Sequence, residues 1–258
     1  MERVGIIGAG KIGGSLVARL CEDFDLTVSD IYEEQLERLE RAYDIKTTLS
    51  NKEVAKSSRL LVIAVKPWDV THILEEISPV AEGKVVVSVA AGVEIPAIAA
   101  RLPHQTAVLR VMPNVCAAVG LGTAVVAANE PGEAYLPEVM SIFRCLGDVM
   151  ELPERLFDAA TALHGSGPAY VALFVDALVQ AGVREGIPRD LASRLVNGTM
   201  AGTAVLLKER AAHQIRDEVT TPGGTTAAAL AAMEKAGFVA AVYDGVEAAT
   251  EQARRLAK

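Results

Sequence analysis

Two hydrophobic rhythms alternate along residues 1–152. Short continuous runs of Val, Ile and Leu read as buried strands: Arg3 to Ile7, Leu26 to Ser29, Arg59 to Val65, Lys84 to Gly92 and Ala107 to Asn114. Between them apolar residues return every three or four positions, as on one face of a helix. Ile12, Leu16 and Leu20 mark the first such helix, Glu33 to Tyr43 the next, and Val70, Ile73, Leu74 and Ile77 another. Ser50-x-x-Glu53 has the form of a capping box opening a short helix. Gly122 to Asn129 and Asp148 to Leu152 add two strands around a helix from Leu136 to Leu146. Strands alternating with helices predict a Rossmann-type, doubly wound α/β sheet over 1–152, with ligands at the carboxyl ends of its strands.

From residue 153 to 258 no strand pattern returns, so this half is predicted to be all helical. A break at Gly165-Ser166-Gly167-Pro168 precedes a helix, Pro168 to Val183, that is apolar on almost every face. A helix of that kind must be buried all round, and about a hundred helical residues cannot bury it alone. The next helix opens at Pro188 and carries Gly198-x-x-x-Gly202, a spacing that lets another helix come close. These features predict a homodimer joined through the helical domain, with a higher oligomer of dimers left open.

Composition narrows the class. The net charge of −8 leaves no basic stripe for phosphates, which argues against nucleic acid. The longest uninterrupted apolar run, Ala169 to Val175, stops at Asp176, short of the roughly 20 residues that span a bilayer, so no membrane partner is expected. No signal peptide is evident at the start. Cys21, Cys116 and Cys145 are odd in number and lack CxxC spacing; they read as reduced thiols of a cytoplasmic protein. Four histidines without a cluster or an HExxH motif give no metal site.

The chemistry begins at Gly8-x-Gly10-x-x-Gly13, which lies between a strand and a helix, the context that turns a weak motif into a dinucleotide fingerprint. The three glycines allow the tight turn, the approach of a pyrophosphate, and close helix–strand packing. Asp30 ends the next strand 22 residues after Gly8, near the roughly 20-residue offset of the carboxylate that binds the adenosine ribose. A carboxylate there repels a 2′-phosphate, so NADH is favoured and NADPH is the alternative cofactor. A plainer reading makes Asp30 the cap of the helix Glu33 to Tyr43, a role compatible with the first.

The segments VGIIGAGKIG, AVKP, SVAAGV, RVMPN, GSGPAY and VTTPGGTT occur in an order and spacing that resembles the pyrroline-5-carboxylate reductase family over nearly the whole chain. The resemblance implies a Rossmann domain and an interlocked helical dimerisation domain. It implies a dinucleotide over Gly8, Ala9, Gly10, Lys11, Ile12 and Gly13 and at Asp30. Further cofactor contacts are implied at Asn51, at Ala64, Val65, Lys66 and Pro67, at Val89, Ala90 and Ala91, and at Glu154. The nicotinamide would sit near Pro67, Ala90 and Asn114, facing the threonine-rich turn. Three departures stand out: Asp30 itself, His164 in place of a serine, and no proline after His213.

In that setting VTTPGGTT gains a purpose. A Gly-Gly turn entering a helix offers free backbone N–H groups for a carboxylate. Thr221, Gly223, Gly224, Thr225 and Thr226 would form the substrate cup with Asn114, and the Thr226 hydroxyl would meet the imine nitrogen as the catalytic group. Without that setting the same stretch reads as an ordinary threonine cap on the helix Ala227 to Lys235. The competing activities are reduction of a related cyclic imine and oxidation of a hydroxy acid by an enzyme of the same build. The latter generally needs a Lys or His that the helix Pro168 to Val183 lacks. A non-enzymatic redox sensor would need an effector segment, and none is left over.

Overall fold

The computed structural model describes residues 2–256. Packing divides the chain into two compact units, one running to Ser166 and rejoined by the segment from Ala248 onward, the other Gly167–Glu247.

The first unit is built on an eight-stranded sheet in the order β3-β2-β1-β4-β5-β6-β7-β8. The strands are β1 (Arg3–Ile7), β2 (Asp25–Ser29), β3 (Lys46–Thr48), β4 (Leu60–Ile63), β5 (Val85–Ser88), β6 (Ala107–Pro113), β7 (Gly122–Ala128) and β8 (Gly147–Glu151). Side-chain alternation sends Ile6, Val62, Val87 and Leu109 to one face, under α1 (Lys11–Leu20), α2 (Glu33–Ala42) and α6 (Leu136–Phe143). Ile7, Ile63, Val86 and Val108 go to the other, under α3 (Asn51–Ser57), α4 (Pro67–Ile77) and α5 (Ile95–Ala99). Both faces are therefore covered, as parallel strands of continuous apolar sequence require.

The sheet is parallel except between β6 and β7. The link from Pro113 to Gly122 is too short for a crossover, which needs about ten residues or more, so the chain turns back. β8 then pairs parallel to β7 through α6, and this last pair runs against the other strands. The predicted capping box is half made. Ser50 Oγ accepts from Glu53 N at 3.3 Å, but the Glu53 carboxylate takes the Thr48 hydroxyl instead of returning to Ser50 N, which bonds Thr48 Oγ1 at 3.1 Å.

After a short α7 (Phe157–Ala160), a π turn (Thr161–Gly165) leads into the second unit. That unit holds α8 (Gly167–Arg184), α9 (Arg189–Leu206), α10 (Ala212–Glu218), α11 (Thr225–Lys235) and most of α12 (Phe238–Leu256). α8 and α9 approach closely where Gly182 faces Ala192; a Cβ on Gly182 would stand 3.3 Å from that of Ala192. Gly198 and Gly202 face nothing within 4 Å, so the close approach their spacing allows is not used inside the chain. Gln214, in the position after His213, accepts the Ala211 N–H at 3.0 Å and starts α10 without a proline.

Among the described residues, Val179 and Ala192 are the only buried apolar ones of this unit. Leu173 and Tyr243 are each 72% exposed, and Val205 is 62% exposed. Asp176 does not interrupt α8. The helical run Glu154–Arg184, of mean hydropathy 1.3, is long and apolar enough to cross a membrane by length and composition. A unit with this little core needs another surface to cover it.

Candidate active site

Register brings the predicted nucleotide residues together. The ladder rows end at Ser29, Ile7, Ile63 and Ser88. One residue further on, Gly8 N donates to Ser29 O, Ala64 N to Ile7 O and Val89 N to Ile63 O, at 2.8, 2.7 and 3.0 Å. Gly8, Asp30, Ala64 and Val89 thus share one row at the carboxyl end of the sheet.

Each glycine of the motif has a different reason to be there. Gly8 has φ +104°, and a side chain on it would strike the Ala64 carbonyl at 2.6 Å; a Cβ on Gly13 would lie 1.9 Å from Gly8 O. Those two are demanded by the fold. Gly10, at the N-cap of α1, has nothing within 4 Å of where its Cβ would be, and α1 begins without a side-chain cap. Nothing in the protein requires a glycine there, whereas a phosphate drawn against the free N–H groups of Lys11 and Ile12 does. The residues present fit a dinucleotide.

The Asp30 carboxylate is held by the backbone on both sides. Oδ2 accepts the Ala9 N–H at 2.6 Å and Oδ1 the Tyr32 N–H at 2.9 Å. It makes a local turn and pins the glycine loop; α2 is capped by Tyr32 without a side-chain bond, so Asp30 is not its cap. Asn51, the first residue of α3, accepts from Ser29 Oγ at 2.7 Å and donates to Glu76 Oε2 at 2.8 Å. Lys66 caps α4 from an exposed position and Pro67 starts that helix. Ala90 is buried between the half-buried Val89 and Ala91, at the end of β5.

Glu154 and Asn114 are bound into the scaffold more tightly than their sequence positions suggested. Glu154 Oε1 accepts the Ile95 N–H at 2.8 Å and faces Arg110 Nη1 at 3.1 Å. The Arg110 guanidinium, from the middle of β6, is 4.9 Å from the Phe157 ring centroid, and its Nε has no hydrogen-bond partner among the described residues. Asn114 Oδ1 accepts from Cys116 N at 3.2 Å and Thr123 N at 3.3 Å, while its Nδ2 donates to His164 O at 3.1 Å. Arg110 was not drawn into the site by sequence, and His164 stood out only as a departure from the family pattern. A lone charged residue inside a buried strand was the available sign for Arg110.

In the second unit the threonines sort themselves. Thr220 Oγ donates to Arg216 O at 2.6 Å and is used structurally. The hydroxyls of Thr221, Thr225 and Thr226 make no hydrogen bond among the described residues. Gly223 turns the chain at φ +70°, Gly224 N bonds Thr221 O at 3.0 Å, and a Cβ on Gly224 would meet Thr221 Oγ1 at 2.3 Å. α11 starts two residues earlier than predicted, at Thr225, and no side chain caps it. The ordinary threonine cap is therefore absent, and its first N–H groups stay available.

Comparison with known proteins places the chain among the nicotinamide-dependent oxidoreductases. Residues 3–92 match a family model described as NADP oxidoreductase, coenzyme F420-dependent, and residues 154–256 match one described as pyrroline-5-carboxylate reductase dimerisation. A pyrroline-5-carboxylate reductase of Synechocystis is 39% identical over 264 residues, spanning 99% of this chain and 98% of the relative. The solved structure of that enzyme from Coxiella burnetii is 29% identical with a TM-score of 0.93, covering 99% of this chain and 98% of the other. The Plasmodium falciparum enzyme, solved with NADP bound, is 29% identical with a TM-score of 0.87, covering 100% and 98%. The chain belongs to the pyrroline-5-carboxylate reductase family, and its helical segment is a dimerisation domain.

Proposed function

We propose that the protein reduces 1-pyrroline-5-carboxylate to L-proline, the last step of proline biosynthesis, with NADH as the preferred hydride donor. The observation that carries the reading is the Thr221–Thr226 turn: an uncapped helix start with three uncommitted hydroxyls. The N–H groups of Thr225, Thr226 and Ala227 take the substrate carboxylate, with Thr221 at the rim of the cup. Thr226 Oγ addresses the ring nitrogen and holds the imine in place while hydride reaches the adjacent carbon; the nitrogen's proton comes from solvent or is already on the substrate. The reduced nicotinamide, when bound, supplies the hydride. Gly8 to Gly13, Asp30, Asn51, Ala64 to Pro67, Val89 to Ala91 and Glu154 hold the cofactor.

The NADH preference rests on Asp30, whose carboxylate is held beside the glycine loop by Ala9 N and Tyr32 N and would repel a 2′-phosphate there. NADPH is the second reading, favoured by the NADP in the Plasmodium relative. The exposed apolar faces of the second unit meet a partner subunit rather than lipid. Three unpaired cysteines among the described residues accord with a cytoplasmic location, and the charge of −8 with no nucleic-acid partner. Mixing the purified dimer with pyrroline-5-carboxylate and either reduced cofactor, and following loss of the reduced-nicotinamide absorbance, tests the reaction and the preference together. T226V should lower kcat/KM by about tenfold or more while NADH binding stays intact; wild-type kinetics in that variant would remove the assigned role.

A further inference from the structure

We propose that His164 is a positioning residue for this reaction: it aims the one uncommitted N–H of Asn114 at a carboxylate or carboxamide oxygen in the active site. The inference rests on the reductase reading for the identity of the ligand, and on the first unit alone for its geometry. An asparagine amide has two acceptor sites and two donors. In Asn114 both acceptor sites are taken, by Cys116 N and Thr123 N, and one donor goes to His164 O. The planar group is fixed by three bonds, and the direction of the fourth follows from where His164 O lies.

His164 is itself tied down by its ring. Nε2 lies 2.9 Å from Met112 O and Nδ1 lies 2.5 Å from Ala160 O. Met112 and Asn114 stand two residues apart where β6 ends, so His164 grips that strand end twice, through its ring and through its own carbonyl. It does so from inside the π turn Thr161–Gly165, a widened turn of the kind that recurs at functional sites. Because both ring nitrogens face backbone carbonyls, the imidazole has none to spare as an acid or base for substrate. A serine hydroxyl at this position is too short to reach both carbonyls.

The test is a double-mutant cycle of H164F and N114A in the intact dimer, read by direct NADH titration, by kcat and by the substrate KM. H164F keeps the ring volume and removes the polar contacts of both ring nitrogens. The single variants should each lose between about tenfold and a hundredfold. The loss appears in KM for pyrroline-5-carboxylate if the N–H serves the substrate carboxylate, and in the NADH dissociation constant if it serves the cofactor carboxamide. H164F should add nothing in the N114A background. If H164F disturbs the circular dichroism of the fold, H164N, which keeps one side-chain donor, replaces it in the same cycle. Additive losses, or wild-type titrations and kinetics in the histidine variant, would overturn the assignment. The failed reaction in wild-type protein would instead overturn the reductase reading, leaving the NADH titration to report on His164 by itself.

Discussion

Deleting the Glu154 carboxylate should expose how much of the first unit hangs on one ion pair. Arg110 is 2% exposed, and Glu154 Oε1 is the group facing its Nη1. E154A leaves that guanidinium buried without its counter-charge, a change that costs about 3–5 kcal/mol. The Glu154 side chain is 23% exposed, so water reaches the vacated space and the lower end applies, about 3 kcal/mol. Loss of the acceptor for Ile95 N adds about 1 kcal/mol. At about 2–4 °C per kcal/mol for a domain of this size, the melting transition should fall by about 8–16 °C. E154Q keeps an acceptor for both donors and should lose about half as much. Adding R110M to E154A removes the orphaned charge and should recover most of the loss, since apolar residues replace a buried pair at little cost. Circular-dichroism melts of the four proteins at one fixed concentration provide the readout. An E154A melt within about 2 °C of wild type, or a double variant no better than E154A, refutes the reasoning.

G10A and G13A should separate binding from folding: G10A melts as wild type but loses NADH affinity at least about tenfold, because its methyl enters only the ligand's space, while G13A fails to give a native melt. Finding both variants equally stable would contradict the assigned roles. Trp68, the one tryptophan, is 76% exposed on the first turn of α4 beside Lys66 and Pro67, so its emission should be quenched on adding NADH and unchanged on adding proline alone. Burial raises the Cys145 thiol to about 11, leaving only about a thousandth as thiolate near pH 8. Brief alkylation at that pH followed by peptide mass spectrometry should leave Cys145 unmodified, with reaction appearing as the pH rises towards 11; rapid labelling near neutrality would show the site is open.

The sheet was legible because its strands are continuous apolar runs, and the glycine loop because a strand and a helix flank it. β3 was not: Lys46, Thr47 and Thr48 carry no hydrophobic pattern, and the strand exists only because β2 offers it an edge. α5 escaped because five residues with a proline at the second show no helical period. The reversal at β7 lies in a linker length, a feature that hydrophobic rhythm does not encode. At the site, residue type pointed to Asp30 and the threonines, but only distance tells that Thr220 is spent on Arg216 while its neighbours are uncommitted among the described residues. Glu154 and Asn114 were read as ligands from their place in the motifs. Their bonds to Ile95, Arg110, Cys116, Thr123 and His164 are long-range or backbone contacts that no local pattern announces.

A helical half with two buried apolar residues of its own ties maturation to encounter. The nucleotide half has a core of its own, while the helices between Gly167 and Glu247 need a second copy to cover them. Dilution should therefore melt this half first, and the unfolding temperature should climb with protein concentration. A cell that makes too little of the enzyme would lose it disproportionately, because half-assembled chains expose the apolar faces that proteases and chaperones survey.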